Sequence, residues 1–304
     1  MTRVGAIDCG TNSLRLLIAD VDTGVSDLVR RMEIVRLGAG VDRTGRLAPD
    51  ALARTFSVLE SFAATLRELR VTRIRMVATS ATRDAANRDE FIDGVRRILG
   101  VEPDVVTGAD EAELSFAGAL RGLGPSAGPQ PYLVVDIGGG STEFILGSAV
   151  LHAACSVDVG CVRLTERHLL DDPPTEQQIA AARVDVEQAL TVVREQVPVA
   201  DARTLVGLAG SVTSVAALAL DLAEYDPARI HHARIPASSV HAVAARLLSS
   251  TRGQRAAMTV LHAGRVDVIG AGALILDTML DRFGFGAVLA SEHDILDGIA
   301  LSLR

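Results

Sequence analysis

Short apolar runs alternate along the chain with Ala-rich stretches of helical periodicity, the pattern of an α/β protein. The opening segment, RVGAIDCGTNSLRLLIADV, reads as strand, glycine turn and strand. Apolar residues flank Gly10–Ser13 on both sides, as in a β-hairpin. A third strand is expected over Leu28–Leu37. After Pro49, residues Leu52, Phe56, Leu59, Phe62, Leu66 and Leu69 fall at steps of four, three, three, four and three, one face of a helix. RIRMVAT (73–79) reads as a strand. DEFIDGVRRILG (89–100) reads as a helix ending at Gly100 as C-cap, EPDVV (102–106) as a short strand and ADEAELSFAGAL (109–120) as a helix.

Gly122–Pro131, GLGPSAGPQP, carries three prolines and three glycines and cannot continue a helix or a central strand, so it is read as a linker. Beyond it the opening pattern returns in PYLVVDIGGGSTEFILGSA. Asp8, Gly10 and Ser13 recur at identical spacing as Asp136, Gly138 and Ser141, an internal repeat of one supersecondary unit. The second half continues with a long helix around Thr175–Gln196. A strand, TLVGLA, leads through Gly210 into the helix SVTSVAALAL. Helices are expected over Ser238–Ser249 and Val266–Phe283, then a strand, GAVLAS, and a last helix, EHDILDGIALSL.

Composition narrows the class. At 304 residues the prior is two domains, and 48% apolar residues supply a sizeable core. Aromatics are 3%, so that core rests on Leu, Val, Ile and Ala. A net charge of −8 argues against a broad basic face for nucleic acid. A polyanion would need a local basic patch or a metal ion. Cys9, Cys155 and Cys161, odd in number and without a Cys-x-x-Cys pair, point away from a disulfide framework or zinc site and toward a reducing, cytoplasmic setting. A strand begins near Val4, which leaves no room for a leader, and no apolar stretch spans a bilayer.

Each glycine turn follows an apolar strand that ends in an aspartate, with a hydroxyl residue three positions after the first glycine. Glycines let a backbone approach an anion closely, and successive amides there form an anion nest. Asp8 and Asp136 would repel phosphate unless they hold, directly or through water, a magnesium ion that bridges to it. The competing reading is two hairpin turns with capping aspartates. There is no Walker-type Gly-Lys-Ser/Thr, no Gly-x-Gly-x-x-Gly after a strand and no His-Glu-x-x-His. The pair His231–His232 reads as a solvated loop.

The segments 6–20, 78–88, 107–120, 134–147, 207–218, 265–276 and 291–300 resemble, in order, the blocks of the exopolyphosphatase/guanosine pentaphosphatase family. The resemblance implies two actin-like (ribonuclease H-like) lobes, each a mixed five-stranded sheet with flanking helices and the active site in the interlobe cleft. The lobes would cover 1–125 and 126–291, with a final helix at about 292–304 packing back on the first. Glu111 matches the catalytic base. The family usually has Glu-Glu there, whereas this chain has Asp110–Glu111. Asp136 and Glu143 match acidic residues associated with Mg²⁺ or Mn²⁺, and Asp8 their first-lobe partner. Arg83 and Arg265 match arginines of the family's blocks, Arg83 one that faces the substrate phosphates. Thr11, Asn12 and Ser13, with Gly138, Gly139, Gly140, Ser141 and Thr142, match the two phosphate loops.

The implied activity is hydrolysis of the terminal phosphoanhydride of inorganic polyphosphate. Because relatives often carry further domains, short chains are the expected preference. Conversion of guanosine pentaphosphate to tetraphosphate, in the stringent response, is the alternative with the same machinery. A non-catalytic polyphosphate or nucleotide sensor is a third reading, and a sugar or acetate kinase would need an acceptor pocket. A homodimer is compatible with all of them; nucleic-acid and membrane partners are not expected.

Overall fold

The computed structural model describes residues 2–22, 24–124 and 127–304. The chain divides into two compact units, one made of Met1–Arg121 and Asp294–Arg304, the other of Gly122–His293. The boundary drawn from the sequence between residues 125 and 126 falls on Pro125 and Ser126, outside the described residues. Among the described residues no helix is long and apolar enough to cross a membrane.

In the first unit β1 (Arg3–Cys9), β2 (Ser13–Asp20) and β3 (Ser26–Ile34) form an antiparallel meander. The helices α1 (Val41–Thr44) and α2 (Pro49–Glu68) lead to β4 (Arg73–Ala78). Then follow α3 (Ser80–Asp84), α4 (Arg88–Leu99), β5 (Asp104–Val105) and α5 (Gly108–Ala119). β4 and β5 run parallel to β1, giving the order β3-β2-β1-β4-β5. Strand β1 is almost wholly buried because both its faces are covered. On one face Ile7, Leu14, Leu16 and Ile18 pack with Leu59, Phe62 and Leu66 of α2 and Phe91 of α4. The third strand ends at Ile34, short of the expected Leu37. Beyond it the N–H groups of Val35 and Arg36 donate to the Asn12 carbonyl (3.0 and 2.9 Å), so the chain leaves the ladder to brace the glycine turn.

The second unit repeats the meander with β6 (Tyr132–Ile137), β7 (Thr142–Gly147) and β8 (Leu151–Val157). Then come α6 (Cys161–His168), α7 (Glu176–Gln196), β9 (Thr204–Leu208), α8 (Ala209–Ala219) and α9 (Pro227–Ile230). They are followed by β10 (Arg234–Pro236), α10 (Ala237–Ser249), α11 (Arg252–Ala256), α12 (Ile269–Phe283) and β11 (Ala287–Ala290). The sheet has six strands, in the order β10-β11-β9-β6-β7-β8, where the sequence predicted five. The extra one, β10, is a three-residue antiparallel edge on β11, too short to show as alternation. α12 starts at Ile269, not Val266, because Ala263–Arg265 form a separate 3₁₀ turn capped by the His262 ring. Ile269–Leu280 of α12 are all buried, as in a helix enclosed on every side.

The last helix, α13 (Ile295–Leu301), belongs to the first unit. Its Ile295, Leu296, Ile299 and Ala300 close the second face of that sheet over Val4, Ala6, Leu17, Ala19 and Val77. α13 and α5 touch backbone to backbone. A Cβ on Gly118 would overlap the Asp294 carbonyl, and one on Gly298 would overlap the Leu114 carbonyl. Asp294 caps α13, accepting from the Leu296 N–H at 3.0 Å, and its own N–H donates to Asp297 Oδ2 at 3.1 Å. Asp297 is fully buried and ion-paired to Arg30 (2.7 Å) and Arg121.

Candidate functional site

Both glycine turns are closed by the same bond at repeat positions: Gly10 N–H to the Ser13 carbonyl (3.0 Å), and Gly138 N–H to the Ser141 carbonyl (3.1 Å). The next segment braces each turn by its carbonyls. Thr11 and Asn12 accept from the Gly38, Val35 and Arg36 amides. Gly138 and Gly139 accept from the Cys161, Val162 and Arg163 amides at the start of α6. With these carbonyls engaged, the amides that follow the first glycine of each turn are the candidate donors to an anion. Gly160 must be glycine here, because a Cβ would overlap the Gly139 backbone.

The side chains of the predicted loop residues differ in what they can do. Asn12, Ser13, Gly138 and Gly139 are half-buried, whereas Thr11, Gly140, Ser141 and Thr142 are buried. The Thr11 hydroxyl bonds that of Ser80 at 2.9 Å. Thr142 lies on β7, and its hydroxyl donates to the Val159 carbonyl at 2.6 Å. Thr142 is therefore a strut of the turn, not a hydroxyl donor to phosphate.

Hairpin register sets the carboxylates. In the second unit Asp136 on β6 faces Glu143 on β7 directly, and both are buried. Like charges at directly opposed cross-strand positions repel. Ser156 donates to Glu143 Oε1 at 2.8 Å. Two carboxylates side by side are a donor set for a hard divalent cation. In the first unit the equivalent register sets Asp8 opposite Arg15. Arg15 donates through Nε and Nη2 to Asp8 Oδ2 (2.8 and 2.7 Å) and through Nη1 to Asp294. Burial pushes the Asp8 carboxyl above its usual range, and Arg15 opposes that. Asp8 Oδ1 is buried with no hydrogen-bond partner, an orphaned acceptor that a cation or its water would satisfy. The two repeats are thus chemically unequal, one an acid pair and the other an acid held by an arginine.

The acidic pair at the start of α5 divides its work. Thr107 N-caps the helix in a capping box with Asp110, whose Oδ2 accepts from the Thr107 N–H and hydroxyl at 3.1 and 2.6 Å. Those bonds hold the Asp110 carboxyl below its usual value. Glu111 is buried, and its Oε2 accepts from Arg83 Nη1 at 3.1 Å; Arg83 also donates to the Val106 carbonyl at 3.0 Å. Helix capping falls to the exposed neighbour, while Glu111 sits beside a cation.

Arg265 lies against the start of α8, its Nη1 3.4 Å from both the Gly210 carbonyl and Ser214 Oγ. Nearby Tyr225 donates to Glu292 at 2.6 Å, and burial with Glu292 raises the phenol well above its usual value. His231 and His232 are not a solvated loop. Their rings stack at 3.7 Å, His293 stands 4.4 Å from His231, and burial lowers the His232 pKa. Sequence reasoning missed Arg15, Asp294 and Ser156. Register could have found Arg15, since a hairpin closed by Gly10 and Ser13 puts it opposite Asp8; the contact with Asp294, distant in sequence, gave no signal.

Residues 17–303 match the model of the Ppx/GppA phosphatase family. Exopolyphosphatase 2 of Mycobacterium tuberculosis is 51% identical over 317 aligned residues, covering 100% of this chain and 99% of the relative. The guanosine-5'-triphosphate,3'-diphosphate pyrophosphatase of Photobacterium profundum is 34% identical over 69% of this chain and 42% of its own length. Among solved structures, the Aquifex aeolicus PPX-GPPA enzyme is 31% identical with a TM-score of 0.82, covering 99% of each chain.

Proposed function

The chain belongs to the Ppx/GppA phosphatase family, and from that premise we propose that it is a metal-dependent exopolyphosphatase releasing orthophosphate from the end of inorganic polyphosphate. The observation that carries the reading is the buried pair Asp136 and Glu143, facing each other beside a braced glycine turn. Full-length similarity to an exopolyphosphatase supports the substrate. In the second unit Asp136 and Glu143 would hold Mg²⁺ or Mn²⁺, and within the first unit Asp8 Oδ1 is an acceptor that a cation or its water would satisfy. The ion would neutralise charge on the phosphates and polarise the scissile bond. In each unit the amides after the first glycine, Thr11–Ser13 in one and Gly139–Ser141 in the other, would receive phosphate oxygens, and in the second unit Arg265 would add a cation. Glu111 takes the proton from the attacking water, a contribution of roughly 10²–10⁴-fold. Its Oε2 accepts from Arg83 Nη1 at 3.1 Å, so the base is held in place by a guanidinium of the same unit. The three cysteines are free thiols, which supports a reducing, cytoplasmic setting.

A second reading, conversion of guanosine pentaphosphate to tetraphosphate, is supported by the Photobacterium relative. Phosphate release from polyphosphates of several lengths, guanosine pentaphosphate and ATP, each with and without chelator, separates the two. Exclusive turnover of the guanosine compound would replace the first reading, and undiminished turnover in chelator would remove the metal from it.

A further inference from the structure

A guanidinium and a carboxylate ordinarily meet side-on, with two parallel bonds to two oxygens. Arg15 does not meet Asp8 that way. Its Nε and Nη2 both donate to the same oxygen, Oδ2, and Oδ1 is left buried with no hydrogen-bond partner. The remaining arm, Nη1, donates to Asp294 Oδ2. Asp294 is itself fixed twice. Its Oδ1 accepts from the Leu296 N–H as the cap of α13, and its N–H donates to Asp297, which Arg30 and Arg121 hold in the interior. Burial works against ionisation of Asp294, but Arg15 and Arg30 outweigh it and keep the carboxyl below its usual range. The Asp294 carboxylate is therefore a charged, immobile anchor on one edge of Arg15.

We propose that Asp294 is a positioning residue: by holding Nη1, it stops Arg15 from closing side-on over both oxygens of Asp8 and so reserves Asp8 Oδ1 for a divalent cation or its water. The inference rests on reading Asp8 as a metal residue, and it gives α13 a role beyond covering the sheet. Without the anchor the guanidinium relaxes to the two-oxygen grip, and the acceptor is lost to the ion.

The test is Mn²⁺ binding to the full chain by isothermal titration calorimetry, alongside the Mn²⁺ dependence of phosphate release. Asp294→Asn keeps an N-cap as good as aspartate but removes the ion pair to Arg15, so some stability is lost and a thermal melt of each variant checks that it is folded at the assay temperature. Mn²⁺ affinity should fall about tenfold, the lower end for loss of an outer-shell partner. The Mn²⁺ concentration for half-maximal activity should rise in step, with kcat at saturating Mn²⁺ near that of the wild type. Adding Arg15→Met to Asp294→Asn removes the closing fork, and Mn²⁺ affinity should recover. Wild-type Mn²⁺ affinity in Asp294→Asn, or a loss that persists in the double variant, would overturn the role given to Asp294. Asp8→Asn separates the premise: if it also binds Mn²⁺ like the wild type, the reading of Asp8 fails and the proposal with it.

Discussion

Replacing Glu111 by Gln keeps the shape of the side chain and removes its ability to accept a proton. If Glu111 is the base, kcat should fall by roughly 10²–10⁴-fold, which is about 2.7–5.4 kcal/mol of barrier at about 1.36 kcal/mol per decade. The structural cost is smaller. The substitution breaks one ion pair, to Arg83, whose side chain is 24% exposed and retains the Val106 carbonyl. Such a pair lies between an exposed one and a sealed one, so about 1–2 kcal/mol of stability is at stake. Even from a stability of only about 5 kcal/mol, roughly 3 kcal/mol would remain and more than about 99% of the protein would stay folded. Unfolding therefore cannot account for a loss of a hundredfold or more. KM should hold or decrease, because one negative charge leaves a site for a polyanion and Arg83 is released toward it. Steady-state phosphate release at saturating substrate, with a thermal melt of the same preparation, makes the measurement. A folded Glu111→Gln protein with kcat within threefold of the wild type would show that the base is elsewhere.

Four further outcomes follow from the same geometry. Arg83→Met should raise KM about 10–100-fold, the worth of one charge-assisted hydrogen bond, and a KM unchanged in steady-state assays would remove Arg83 from the phosphate site. Asp136→Asn should abolish most Mg²⁺-dependent activity while the circular dichroism spectrum stays native, and activity at the wild-type Mg²⁺ optimum would contradict a ligand role. Gly160 has a φ of −147°, open to any residue, so Gly160→Ala tests crowding against Gly139 alone; it should cost about 1–3 kcal/mol in denaturant melts and lower phosphate release. The Asp110 carboxyl is held below its usual 3.8, so its stabilisation is present above that pH and lost as pH falls through the lowered value; Asp110→Asn should flatten the acid limb of the stability–pH curve below about pH 4 with kcat near that of the wild type.

The elements that repeat or cap themselves were the legible ones. The two strand–turn–strand units, the apolar face of α2 and the Gly100 cap follow from spacing and turn chemistry, and all are present. What escaped was set by contacts between distant segments. β3 stops at Ile34 because the Asn12 carbonyl takes the next two amides, and β10 exists because β11 offers it an edge. At the two glycine turns, Asp8, Asp136 and Glu143 were visible as acids near glycines, but their unequal surroundings were not. A single cross-strand position, Arg15 in one repeat and Glu143 in the other, decides between them. Likewise Asp110 and Glu111 are neighbours of similar chemistry, and only the capping box around Thr107 separates the helix-end acid from the buried one.

The first unit is written in two pieces, with residues 122–293 between them. On the ribosome, residues 1–121 emerge carrying Val4, Ala6, Leu17, Ala19 and Val77 on a sheet face that α13 later covers. At roughly 5–20 residues per second, that face waits on the order of 10–30 s of synthesis. The second unit, contiguous in sequence, has by then everything it needs to fold. The first-made unit can thus be sealed only when residues 294–304 arrive, after the whole of the second unit has been synthesised. During the interval the nascent chain exposes an apolar sheet, a natural substrate for chaperones. A circular permutant beginning at Asp294 would make the first unit continuous, shorten that exposure and relieve such dependence.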